Sequence, residues 1–240
     1  MNKHRLFVFG DSWAFNYFSK KNKLFPKSTP FMGNRNIEKF TTYYNNFGHW
    51  IDHISHFYNV YSYAIGSASN EQIIYQLGNL PEYISGDRIV MIFASPSRFR
   101  WILDKKVYGL TPHGLYHNFI PKESINLIES QYIERNELWI DDLIESEEQK
   151  FLNLLPILLK KYKPVLITWC EETALHTNSI ELIPTNELFT TINDETNGMY
   201  EDGHLGIFGN YELYKFISKK LSIDYSSYTF NPIPFKKILV

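Results

Sequence analysis

A single cysteine, Cys170, stands in a chain of 240 residues. One cysteine excludes an intramolecular disulfide framework, and no Cys/His cluster has the spacing of a structural zinc site. Long apolar runs are missing as well. The first, Leu6-Phe7-Val8-Phe9, is too short for the apolar region of a signal peptide, and no later run approaches a membrane span. A cytoplasmic protein is therefore expected, or one released by a route that needs no signal. Neither sign of charge dominates: 24 Lys and Arg against 26 Asp and Glu leave a formal net charge of −2. That removes the electrostatic case for a nucleic-acid partner or a membrane surface. Repeats, low-complexity tracts and an evident domain boundary are also absent. Residues 1–240 thus read as a single domain, long enough for a substantial core.

What the chain does have is rings and a regular alternation. Aromatics make up 17% of residues. Core packing must absorb most of them, and the remainder suit a surface that stacks on sugars or other flat ligands. Strands are expected at 5–9, 60–65, 88–94 and 164–169. The last two are continuously apolar, as strands covered on both faces are. Helical spacing of apolar residues marks 46–57, 70–79, 146–162 and 207–221, with Pro156 interrupting the third. Strands alternating with helices imply parallel βαβ units and a three-layer sandwich. Cys170 ends the fourth strand run and reads as a buried, inert thiol.

Two stretches break the alternation. Residues 97–145 are too long for one crossover and rich in Tyr, Trp, His and charge. They read as an insertion, partly helical over 124–135, lying over the rim of the site. Residues 171–200 are polar with a weak apolar centre that can hold a short fifth strand. The tail 222–240, with Pro232 and Pro234, reads as an extended strap.

The most informative stretch is Val8-Phe9-Gly10-Asp11-Ser12. A buried strand stops at Gly10, and a hydroxyl follows at its C-terminal edge. In parallel sheets ligands bind beyond the C-terminal strand ends. Backbone N–H groups at such an edge point towards developing negative charge. The plainer reading is that Asp11 and Ser12 cap a helix after a glycine turn. Gly66 and Ser95 lie at the next two strand ends. Late in the chain, Asp202-Gly203-His204-Leu205-Gly206 forms a polar turn immediately before an amphipathic helix. A serine hydroxyl must lose its proton to attack, so a histidine there suits a base.

In order and placement these blocks resemble the SGNH/GDSL hydrolase family. The matching stretches are Phe9-Gly10-Asp11-Ser12-Trp13, Ala64-Ile65-Gly66-Ser67-Ala68-Ser69-Asn70, Phe93-Ala94-Ser95-Pro96-Ser97-Arg98 and Glu201-Asp202-Gly203-His204. The resemblance covers the chain apart from 97–145. It is similar in particular to bacterial and phage members with a Gly-x-Ser-Asn second block and a Ser-Pro-x-Arg third block.

The resemblance implies a flavodoxin-like α/β/α sandwich with a mostly parallel sheet of four to five strands. It implies Ser12 as nucleophile, His204 as base and a carboxylate to orient the imidazole. Asp202 is favoured for that carboxylate, with Glu201 the alternative. The implied oxyanion donors are the backbone N–H groups of Ser12 and Gly66 and an Asn after the third strand. That Asn is missing from the third block, which leaves Asn70 or Ser95, and the plainer reading of Asn70 is a helix cap. Arg98, and less so Arg100, can hold a carboxylate or sugar hydroxyls. Trp13, Tyr17 and Trp101 suit a rim that stacks on a sugar, or the core. No metal or organic cofactor is implied. The expected activity is hydrolysis of short acyl esters, such as O-acetyl groups on a carbohydrate, with a small molecule or glycan as partner. An O-acyltransferase with the same triad, or a non-catalytic glycan-binding module, are the alternatives.

Overall fold

The computed structural model describes residues 3–14, 49–65, 68–96, 99–103, 106–110, 153, 155–156, 159–160, 162–175, 178–185, 205, 207–226 and 228. Strand β1 (Arg5–Gly10) lies in the middle of a five-stranded sheet. Leu6, Phe7, Val8 and Phe9 are all 0% exposed, which explains the unbroken apolar run: both faces of this strand are covered. It pairs in parallel with β2 (Asn59–Ser62) on one side and β3 (Arg88–Phe93) on the other. A two-stranded hairpin, β4 (Phe99–Leu103) and β5 (Lys106–Leu110), comes next in the chain. β6 (Val165–Thr168) then joins β3, and β7 (Glu181–Leu182) joins β6, both in parallel. The sheet order is β2-β1-β3-β6-β7.

Alternate residues of β1 face opposite layers. Leu6 and Val8 join Val90, Ile92 and Ile167 beneath α1 (Trp50–Ile54) and the later helix 207–220. Phe7 and Phe9 join Ile89, Met91 and Phe93 beneath α2 (Asn70–Tyr75), together with the helical residues Leu155 and Leu159. Helices therefore cover both faces, and the architecture is a three-layer α/β sandwich of flavodoxin-like strand order. Each fully buried Leu, Ile or Phe contributes about 1.5–3 kcal/mol to this core. A short α3 (Glu171–Leu175) follows β6, and α4 (Ile207–Lys220) closes the described fold. Among the described residues no helix is long and apolar enough to cross a membrane.

Local chemistry sets the element boundaries. His49 caps α1 in a capping box: its Nδ1 accepts from Ile51 N at 3.3 Å, and Asp52 Oδ2 accepts from His49 N at 2.8 Å. Ser69 caps α2, its Oγ accepting from Gln72 N at 3.2 Å. β2 ends three residues before its expected limit. Tyr63 N and Ile65 N still donate to Val8 O and Gly10 O, at 2.8 and 2.9 Å, so the chain stays alongside β1 after the regular strand ends.

Within the stretch expected as an insertion, the structure adds the antiparallel pair of β4 and β5, with Leu103 opposite Lys106. Alternation of Phe99, Trp101 and Leu103 was the available signal. The expected helix at 124–135 lies outside the described residues.

Candidate active site

Gly10 is the last residue of β1, at a close approach. A Cβ there would lie 2.6 Å from Ala14 Cβ and 2.9 Å from Ile92 O, so only glycine lets the following turn fold back against β3. Asp11 then organises that turn. Its Oδ1 accepts from Trp13 N at 2.9 Å, and its backbone carbonyl accepts from Ala14 N at 3.1 Å. Its Oδ2 accepts from the Trp169 indole Nε1 at 3.0 Å. A carboxylate that is 0% exposed is tolerable because N–H donors meet both oxygens. Asp11 thus does the local capping, a task the plainer reading gave to Asp11 and Ser12 together. Ser12 sits at the crown of the turn, 7% exposed. The neighbours of β1 lead the chain away in opposite directions, so the turn opens at the topological switch point between β1 and β3.

The far side of the turn is held by two consecutive residues. Trp50 Nε1 donates to Trp13 O at 2.8 Å, and the His49 ring also hydrogen-bonds the Trp13 backbone. Because His49 Nδ1 accepts from Ile51 N, its ring proton is on Nε2. Burial, with a smaller contribution from His53, lowers the His49 pKa to about 3. His49 is therefore a neutral scaffold residue with both nitrogens engaged. Trp13, expected at the rim, is 6% exposed and belongs to the core. Its ring stacks on Trp169 at 5.8 Å and 21°, and the half-buried Trp169 is the more open of the two.

At the end of β3 a second turn is fixed differently. Asn70 is the first residue of α2, not its cap. Its Oδ1 accepts from Ala94 N at 2.8 Å and its Nδ2 donates to Ala94 O at 3.0 Å. Thr173 Oγ1, from α3, donates to the same carbonyl at 2.7 Å. One residue earlier, Thr168 Oγ1 donates to Phe93 O at 3.0 Å. Ser95, half-buried, leaves directly from this clamp. The side chains of Asn70 and Thr173 are buried.

The third segment arrives at Leu205. This residue is 4% exposed and packs in the same core cluster as Trp13 and Trp50. Its carbonyl accepts from Asn210 Nδ2 at 3.0 Å, and Asn210 Oδ1 accepts from Trp50 N at 3.2 Å. Gly66, Arg98, Glu201, Asp202 and His204 lie outside the described residues, as do Tyr17 and the side chains of Arg100 and Trp101. Glu171 and Glu172 open α3 and are exposed. Cys170 is half-buried, not enclosed as expected, because it follows the end of β6. Among the described residues no three His, Cys, Asp or Glu side chains converge as a metal site would require.

Sequence reasoning missed His49, Trp169, Thr173 and Asn210. Only His49 carried a local signal, the His-x-x-Asp spacing of a capping box.

No family model matches the chain, and no curated protein matches it. Among solved structures, the chain is similar to the lipase/acylhydrolase from Enterococcus faecalis, with a TM-score of 0.46 and 12% sequence identity. The alignment covers 91% of this chain and 95% of that one.

Proposed function

We propose that the protein is a serine ester hydrolase acting through an acyl-enzyme. The observation that carries this reading is the Ser12 turn. Its capping is done by Asp11, its glycine admits no Cβ, and it opens at the switch point of a parallel sheet. Ser12 Oγ attacks the ester carbonyl while His204 takes its proton, and Asp202 (or Glu201) holds the imidazole tautomer. The oxyanion is met by the N–H groups of Ser12 and Gly66 and by Asn70 or Ser95. His204 then protonates the leaving alcohol, and water cleaves the acyl-enzyme.

Two observations support the choice of base. His49, which touches the Ser12 turn, has both ring nitrogens engaged. Leu205, covalently next to His204, packs in one cluster with Trp13. The substrate in this reading is a short acyl ester such as an O-acetylated glycan, with Arg98 contacting its polar groups. If a glycan hydroxyl replaces water as acceptor, the same site is an acyltransferase.

The test is labelling by a fluorophosphonate probe together with hydrolysis of p-nitrophenyl acetate. The wild type is expected to label and turn over, while Ser12→Ala does neither and His204→Ala is slowed by at least 10³-fold. Labelling that survives in Ser12→Ala refutes the nucleophile. An unlabelled, inactive wild type leaves a binding module on this fold.

A further inference from the structure

We propose that Asn210 is a positioning residue for the base: it ties Leu205, the residue that follows His204 in the chain, to the turn that carries Ser12. The proposal rests on the reading of His204 as the base. Asn210 is 1% exposed, in the first turn of α4. A buried amide has to spend both its donor and its acceptor. This one spends them on two segments far apart in the chain. Its Nδ2 holds Leu205 O, five residues back, and its Oδ1 holds Trp50 N, 160 residues away.

Trp50 N is a donor in the first turn of α1, which the helix's own ladder leaves for another partner, and Leu205 lies just ahead of α4. Trp50 then passes the constraint on, because its indole Nε1 holds Trp13 O, next to Ser12. The relay is therefore Leu205 O, Asn210, Trp50, Trp13 O. Leu205 is fixed twice, by its carbonyl and by its side chain in the core. Consecutive Cα atoms lie about 3.8 Å apart, so fixing Leu205 restricts where the adjacent residue 204 can stand. An amide suits this place because a single planar group supplies a donor and an acceptor. An alkyl residue would supply neither, and Asp would set an oxygen against Leu205 O.

The experiment uses the full chain with Asn210→Ser, His204→Ala and the double variant. It reads hydrolysis of p-nitrophenyl acetate and the rate of fluorophosphonate labelling across pH 5–9. A base displaced by about 1 Å costs on the order of 10²-fold, so Asn210→Ser is expected to lower kcat 10- to 100-fold with KM within about twofold. The acidic limb of its pH profile is expected to shift. In the His204→Ala background the same substitution is expected to change the residual rate less than about twofold, because the group it positions is gone.

Should Asn210→Ser fail to fold, Asn210→Thr carries the same comparison, since its hydroxyl oxygen can still accept from Trp50 N. A wild-type kcat and pH profile in a folded Asn210 variant overturns the proposal. So does an equal loss with and without His204, which marks a role in the fold only. If His204→Ala itself keeps the wild-type rate, the assignment of the base falls, and the tether with it.

Discussion

The turns after β1 and β3 stand side by side at the same edge of the sheet, yet they are held by opposite strategies. The β1 turn is organised from within. Asp11 caps its own neighbours, and indoles from Trp169 and Trp50 grip it from outside. The β3 turn is held from outside, its Ala94 N–H and C=O gripped by Asn70 and Thr173 from two helices. The β1 turn rests on one buried carboxylate and is supported by a buried histidine. The β3 turn rests on uncharged amide and hydroxyl groups. The nucleophile proposed at Ser12 would need an exact backbone beneath it, and a carboxylate with two N–H partners supplies that at the risk of leaving an unpaired charge. The β3 turn, doubly held at one carbonyl, tolerates the loss of either donor.

That contrast can be broken first by pH. Burial holds His49 at about 3 and His53 at about 4, while in the unfolded chain both titrate near 6.5. Below that value the unfolded state binds protons that the folded state refuses. The stability is whole above about pH 6.5 and falls as the pH drops towards the folded values. Between pH 7 and 5 the loss is on the order of 2 kcal/mol per ring. Urea unfolding at the two pH values checks it, and equal midpoints would show that the rings are not held neutral. Labelling of Ser12 is expected to weaken in the same window, since His49 braces its turn.

Asp11→Ala comes next in size. It removes the Asp11 acceptor of Trp13 N and of Trp169 Nε1, at about 1–3 kcal/mol for each buried donor, and unpins Ser12. A lower denaturation midpoint with loss of probe labelling is expected. Retained labelling would mean that the turn stands without its carboxylate. Asn70→Ala orphans Ala94 N, at about 1–3 kcal/mol, while Thr173 keeps the carbonyl. If Asn70 also serves the oxyanion, kcat falls far more than stability does. Thr173→Val is the smallest, about 0.5–1.5 kcal/mol, because Asn70 Nδ2 still meets Ala94 O. A Thr173→Val effect as large as that of Asn70→Ala would refute the redundancy of the β3 clamp.

The same two turns show what could be read without coordinates. Gly10-Asp11-Ser12 announces itself because its contacts are local: a strand that stops, a glycine, a capping carboxylate. The four main strands and the flanking helices were legible from apolar runs and helical spacing, and a weak apolar centre hinted at the fifth. Asn70 was visible but ambiguous. As a cap it would have had a local partner, yet Ser69 caps α2, and the real partner lies 24 residues on at Ala94. Trp169, Thr173 and Asn210 join segments 158, 79 and 160 residues apart. No periodicity encodes such pairs. The hairpin at 99–110 went unread because its alternating residues lie in a stretch crowded with charge and rings.

The position of β1 has a consequence for how the chain is made. Translation delivers Leu6–Phe9 well before the neighbour that fills one side, β3, which begins only at Arg88. Until then a wholly apolar strand has an unpaired edge in the nascent chain, and pairing must wait for the closure of a long loop. The Ser12 turn, which needs Ile92 beside Gly10 and Trp169 beside Asp11, is encoded early and completed late. Synthesis is thereby ordered so that the scaffold of Ser12 closes only after most of the sheet exists.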